Sequence, residues 1–196
     1  MLTTAGQHLY IQNNDALADL GRVFPALTTM TYNIKIQNNA ALADLGEAFP
    51  VLVMVGQHLH IQSNEALTDL GEAFPVLVTV GNSFYLENND ALADLGEAFS
   101  ALTTVGSNLE IVTNRQLISI GSSFASLEAV GVQLKWYNNG RPATTANSVS
   151  APGTQAFCAS ARAVLCPTTT NYYSNSDMVD DSADCCNAYC ATTTAC

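Results

Sequence analysis

Leu52-Val53-Met54-Val55-Gly56-Gln57-His58-Leu59-His60-Ile61-Gln62-Ser63-Asn64-Glu65-Ala66-Leu67-Thr68-Asp69-Leu70-Gly71-Glu72-Ala73-Phe74-Pro75-Val76 is one period of a repeat. Steps of 25 residues find it again in both directions: Asn14, Asn39, Asn64, Asn89, Asn114 and Asn139 form one column. Leu2, Leu27, Leu52, Leu77, Leu102 and Leu127 form a second, and Leu17, Leu42, Leu67, Leu92 and Leu117 a third. Gly21, Gly46, Gly71, Gly96 and Gly121 follow, with Phe24, Phe49, Phe74, Phe99 and Phe124. The unit reads L-x-x-V-G-x-x-L-x-I-x-x-N-x-A-L-x-D-L-G-E-A-F-P-x; six copies run from Leu2 to Ala151, the last decaying after Gly140. A fixed period of about 20–50 residues signals a solenoid, because each unit buries its apolar side only against its neighbours.

Alternation inside the unit defines a strand. Leu9 and Ile11 point one way and His8, Tyr10 and Gln12 the other, and each later copy repeats the step. Successive strands from identical coils run parallel, and parallel crossovers are right-handed. Asn14 and its equivalents sit where the strand ends. Stacked, they predict an asparagine ladder that satisfies the N–H and C=O groups of the turns. Asp19-Leu20-Gly21-Arg22, Asp44-Leu45-Gly46-Glu47, Asp69-Leu70-Gly71-Glu72 and Asp94-Leu95-Gly96-Glu97 resemble a capping box, which predicts a short helical turn ending near each Phe. Pro25, Pro50 and Pro75 then stop that turn. Gly6, Gly56, Gly81, Gly106 and Gly131 fit a bend into the strand, and Thr31 departs from that column.

The L-x-I-x-x-N-x-x-L core resembles a leucine-rich repeat. With V-G before the strand and N-x-A-L-x-D-L after it, it is most similar to the receptor L-domain subtype. The resemblance covers about three-quarters of the chain. It implies a right-handed solenoid with a parallel sheet on one side, and it carries no catalytic residues. The expected architecture is six right-handed 25-residue coils with a parallel β-sheet and short helical turns, plus a small disulfide-rich C-terminal cap. Its divisions are a solenoid over 1–141, a linker over 142–153 and a Cys-rich region over 154–196.

Composition narrows function. Of 196 residues, 48% are apolar and 12% charged, which argues for a packed core and against disorder. Six Lys+Arg against 17 Asp+Glu give a net charge of −11, which repels nucleic-acid backbones and anionic lipid. No apolar run reaches the ~20 residues of a membrane span. No catalytic arrangement is visible: there is no G-x-S-x-G, phosphate loop or H-E-x-x-H. The expectation is a protein without enzymatic activity, cofactor or catalytic residue.

The outward strand positions form a grid. His8, Tyr10, Gln12, Lys35, Gln37, His58, His60, Gln62, Tyr85, Glu87, Lys135 and Tyr137 are the candidate partner-binding residues on it. Tyr, His and Gln suit amphipathic contact with protein or sugar. His58 and His60 share the face, but no Cys, Asp or Glu completes a tetrahedral set there, so no metal is assigned. Acidic columns (Asp15, Glu65 and Asp90; Asp19, Asp44, Asp69 and Asp94) lack a D-x-[DN]-x-[DN]-G loop, and Ala40 interrupts the first. Thr3/Thr4, Thr28/Thr29, Thr79 and Thr103/Thr104 form a threonine file beside the strand, broken by Val53, Met54 and Val78. Such files occur on ice-binding solenoids, and ordinary turn chemistry also accounts for this one.

After Tyr137 the composition changes. Asn138-Asn139-Gly140-Arg141-Pro142 is turn chemistry, Ala143 to Gly153 is linker-like, and Gln155 to Leu165 reads as a short helix. Cys158, Cys166, Cys185, Cys186, Cys190 and Cys196 are an even set confined to this region, the usage of an oxidised, stapled cap. Disulfides of this density predict an extracellular or cell-surface location. With no signal peptide at its start, the expectation is a processed or truncated chain. At the other end, Leu2, Leu9, Ile11, Leu17, Leu20 and Phe24 form an uncapped edge that invites head-to-tail assembly. The functional expectation is a non-enzymatic extracellular structural or interaction protein, presenting surface to a protein or glycan partner or to copies of itself in a homopolymer or filament. A monomeric recognition module and an ice-binding protein are the alternatives.

Overall fold

The computed structural model describes residues 2–140, with only the backbone of Trp136 and Tyr137. The 141 boundary, the linker, the Gln155–Leu165 helix and all six cysteines lie outside the described residues.

Each coil contributes a short and a longer strand. The longer ones are β2 (Leu9–Gln12), β4 (Ile34–Gln37), β6 (Leu59–Gln62), β8 (Phe84–Glu87), β10 (Asn108–Val112) and β12 (Gln133–Tyr137). They form one parallel six-stranded sheet in the order β12-β10-β8-β6-β4-β2. The register is the period itself: Tyr10 pairs with Lys35, Lys35 with His60 and His60 with Tyr85. A second parallel sheet, absent from the expectation, joins β1 (Thr4–Ala5), β3 (Thr29–Met30), β5 (Met54–Val55), β7 (Thr79–Val80), β9 (Thr104–Val105) and β11 (Ala129–Val130). Two-residue strands are too short to display a period. The described residues are thus a parallel β-solenoid of about five turns.

The helical turns are not there. Among the described residues there is no helix, and the D-L-G segments form a third parallel side through bridges Asp19↔Asp44, Asp44↔Asp69 and Asp94↔Ser119. Each Asp accepts a hydrogen bond two residues on instead of capping: the Gly21, Gly46, Gly71 and Gly96 amides donate to Asp Oδ1 at 2.6, 2.7, 2.8 and 2.9 Å. Gly21, Gly46, Gly71 and Gly96 have φ of 57, 58, 57 and 56°, a left-handed conformation that interrupts helical propagation. The Gly56 column has another reason for its glycine. These residues are not left-handed, but a Cβ on Gly56 would run into the Thr31 carbonyl oxygen, and one on Gly81 into that of Gly56.

The interior is built from columns. Ile34, Ile36, Leu59, Ile61, Phe84 and Leu86 are fully buried. Phe24, Phe49, Phe74, Phe99 and Phe124 stack along the axis with centroids 5.1, 5.1, 5.4 and 5.9 Å apart. The asparagine ladder is as the spacing predicts. Asn64 Oδ1 accepts from Asn39 N (3.2 Å) and Nδ2 (3.1 Å), while its own Nδ2 donates to Ile36 O (3.0 Å) and Asn89 Oδ1 (3.3 Å). Asn39, Asn64, Asn89 and Asn114 each tie three coils together in this way. Just before it, Asn13, Asn38, Ser63, Asn88, Thr113 and Asn138 all take a left-handed backbone, with φ of 54–58°. That kink turns the strand so that the next side chain points into the ladder.

Candidate functional site

The pleat of the long sheet decides what faces out. In β4 the burial alternates, Ile34 and Ile36 inside and Lys35 and Gln37 half-buried outside, and β6 and β8 repeat this. Three outward columns result: His8, Asn33, His58, Ser83, Asn108, Gln133; Tyr10, Lys35, His60, Tyr85, Glu110, Lys135; and Gln12, Gln37, Gln62, Glu87, Val112. The sequence-derived face is therefore one contiguous surface. Tyr137 extends the third column by its backbone, opposite Val112.

The two halves of this surface differ. In the later coils several polar side chains pair with one another, while Asn108 Oδ1 is buried without a hydrogen-bond partner among the described residues. Gln62 Nε2 donates to Glu87 Oε2 at 2.6 Å, Lys135 Nζ to Glu110 Oε1 at 2.9 Å, and Asn108 Nδ2 to the same Glu110 oxygen at 3.2 Å. Glu110 and Val112 are each 7% exposed, although they belong to outward columns. Burial pushes the Glu87 carboxyl above its usual range; Glu110 adds to this, and the Gln62 bond and Lys135 oppose it.

The earlier coils pair the first outward column through the backbone, His8 Nδ1 accepting from Asn33 N (3.4 Å) and Asn33 Oδ1 from His58 N (3.1 Å), and leave the other two more open. His8, Tyr10 and Gln12 are exposed, and Lys35 and Gln37 half-buried. Tyr10 and Tyr32 are 46% and 37% exposed. His8 lies against both, 5.4 Å from the Tyr10 ring and 5.1 Å from the Tyr32 ring. Lys35 Nζ sits 5.5 Å from the Tyr10 centroid. Gln12 and Gln37 make no side-chain hydrogen bond among the described residues.

Between the halves, His60 stacks on Tyr85 at 4.6 Å, with His58 5.6 Å away. Burial, and then Lys35, lowers the His60 pKa to about 4; the Gln62 bond opposes this and His58 adds to it. The same two leading causes lower His58. At neutral pH both imidazoles are uncharged. His60 Nδ1 lies 3.3 Å from Gln62 Oε1, a contact that the Nδ1–H tautomer makes as a hydrogen bond. No three His, Cys, Asp or Glu among the described residues lie together to hold a metal ion.

Elsewhere, the Thr file lies on the short-strand sheet. Its Thr28 and Thr103 hydroxyls donate back to Thr3 O (2.9 Å) and Val78 O (3.2 Å), and Val51, Val53, Met54 and Val76 are exposed beside it. In the first coil Leu2 is 60% exposed, and Leu9, Ile11, Leu17 and Phe24 are partly buried. Leu20, expected on that open edge, is 7% exposed and belongs to the core cluster, because an inward side chain is covered by its own coil and by one neighbour. No helix among the described residues is long and apolar enough to cross a membrane.

Charge pairing is the feature that reading the sequence missed, although its signal is the period. Arg22 pairs with Glu47 (3.7 Å), Arg115 with Asp90 (2.8 Å) and Lys135 with Glu110 (2.9 Å), each with the residue 25 positions away. The neighbours of Lys35 at that spacing are Tyr10 and His60, so it has no carboxylate. No family model, curated protein or solved structure matches the chain.

Proposed function

We propose that this chain is a non-enzymatic recognition solenoid of the leucine-rich repeat type, closest to receptor L-domains, acting outside the cell or at its surface. Its partner, a protein or a glycan, contacts the outward face of the long sheet. One observation carries the reading. The inward columns repeat closely from coil to coil and D-L-G-E recurs in coils two to four, whereas two of the three outward sheet columns change at every coil: His, Asn, His, Ser, Asn, Gln in the first and Tyr, Lys, His, Tyr, Glu, Lys in the central one, beside a third that holds Gln through three coils. Each rung thus offers its own contact chemistry next to a common amide column, which supports a recognition surface. The extracellular assignment rests on the cysteine usage of 158–196.

The test compares two surface exchanges on panels of immobilised glycans and secreted proteins. Tyr10→Ser with Lys35→Ser, His60→Ser and Tyr85→Ser removes the face; Glu47→Gln with Glu72→Gln and Glu97→Gln alters the D-L-G-E side. The expected result is binding that only the first set abolishes. Binding that survives the first set and falls with the second contradicts the reading.

A second reading is end-to-end assembly, supported by the constant register in which coil pairs with coil along the long sheet. In it a second copy supplies a further rung. Electron microscopy of the non-reduced protein would show linear oligomers if it holds and single particles if it does not.

A further inference from the structure

Lys35 stands in an unusual place for a cation of this molecule. Four described residues are Lys or Arg, and three of them pair with a carboxylate one coil away. The Lys35 side chain makes no ion pair or hydrogen bond among the described residues; its ammonium lies 5.5 Å from the Tyr10 ring and close enough to His58 and His60 to disfavour their protonation. The first three rows of the outward grid, His8/Tyr10/Gln12, Asn33/Lys35/Gln37 and His58/His60/Gln62, contain no Asp or Glu, in a chain with 17 of them. They do contain all three of its histidines. Within a protein of net charge −11, these three rows thus carry no carboxylate and hold a half-buried ammonium that has no ion pair among the described residues.

What surrounds that ammonium is chemistry for hydroxyl-rich rings. The Gln12 and Gln37 amides stand in one column with donors and acceptors unused, and neighbouring strands lie ~4.8 Å apart. An amide matches a sugar hydroxyl because both donate and accept. The exposed Tyr10 and Tyr32 rings offer apolar cover beside polar tips. Two amides in register suit a ligand that itself repeats along a line.

We propose that the Lys35 half of the face is a binding site for a linear acidic glycan. A sugar carboxylate sits at Lys35, and ring hydroxyls bond Gln12 and Gln37. The proposal rests on the recognition reading above and names the ligand class of that surface. In a low-charge setting the ammonium–carboxylate contact is the strongest single term, and it weakens with salt.

Calorimetric titration of the full chain tests it, with oligogalacturonate and oligoguluronate as ligands. The methyl-esterified oligogalacturonate is the neutral control and oligoglutamate the acidic peptide control. At least one uronate should bind, the ester about tenfold more weakly or worse, since it loses a charge-assisted contact. Lys35→Gln should lose a similar factor and Lys35→Arg should keep most of the affinity. Arg22→Gln, on another side, should bind as the parent does. Circular dichroism of each variant establishes that it is folded. Failure of both uronates to bind, or uronate affinity unmoved in Lys35→Gln, overturns the proposal. Lys35-dependent binding of oligoglutamate as tight as that of the uronates overturns the glycan assignment but leaves the recognition face standing. The surface exchange on the mixed panel decides the face independently of which acid binds.

Discussion

Alternate residues of the same strand do different work in this molecule. In β4, Ile34 and Ile36 are fully buried and repeat as aliphatic columns above and below; Lys35 faces out between the unlike Tyr10 and His60, and Gln37 faces out between two further glutamines. The interior columns gain from sameness, since a Phe stacks on a Phe and an Asn amide meets the next Asn carbonyl in one fixed geometry. The outward columns are free of that demand. The difference teaches where to seek function in a solenoid: in the positions that break the period on the face that could have kept it.

Four measurements break or sharpen this comparison. The largest effect belongs to the middle of the Phe stack. Phe74→Ala should cost about 3–5 kcal/mol in urea unfolding, because a fully buried ring leaves a cavity between rigid coils. Phe24→Ala, at the partly buried end, should cost clearly less. Next is the ladder. Asn64→Ala strips partners from the buried Asn39 amide groups and from Ile36 O, and should cost about 3 kcal/mol. Asn14→Ala, in the exposed first rung, should cost under about 1 kcal/mol. Equal losses at the two rungs would mean that the coils do not depend on stacking.

A smaller, pH-dependent effect marks the border between interior and face. The folded-state pKa of His60 is depressed to about 4 from 6.5, so the folded form prefers the neutral imidazole. As pH falls from 6.5 towards 4, the unfolded chain takes up the proton before the folded chain does, and stability is lost across that window. Glu87, with its pKa raised, acts in the opposite sense: its stabilising contribution is present at low pH and is lost as pH rises through its folded-state value. The difference isolates His60: the His60→Gln variant should lose less stability than the parent between pH 7.5 and 4 (about the titration range of an ordinary His and below). An identical acid limb in both proteins would place His60 in open solvent.

Much of this fold was legible in the sequence because the period is strict. Asn14 to Asn139 announces a ladder, and the L-x-I alternation a sheet with one buried face. The second sheet was hidden because Thr29–Met30 and Met54–Val55 are too short to alternate. The D-x-x-E spacing pointed to a helix that the left-handed Gly46 and Gly71 forbid, and nothing in the residue types alone distinguishes the two outcomes. For the site, membership of the face was readable from alternation. Its division into a half with paired charged side chains and a half without them was not, since that depends on which side chain stands 25 residues away and how close it comes.

The most direct test sets alternate residues of β4 against each other in equilibrium unfolding. Ile36→Ala should lower stability by about 2–5 kcal/mol, as truncation of a buried aliphatic does. The double outward variant, Lys35→Ser with Gln37→Ser, should lower it by less than about 1 kcal/mol. A double variant as unstable as Ile36→Ala would show that the outward face holds the fold together, and would contradict the division of labour on which the functional assignment stands.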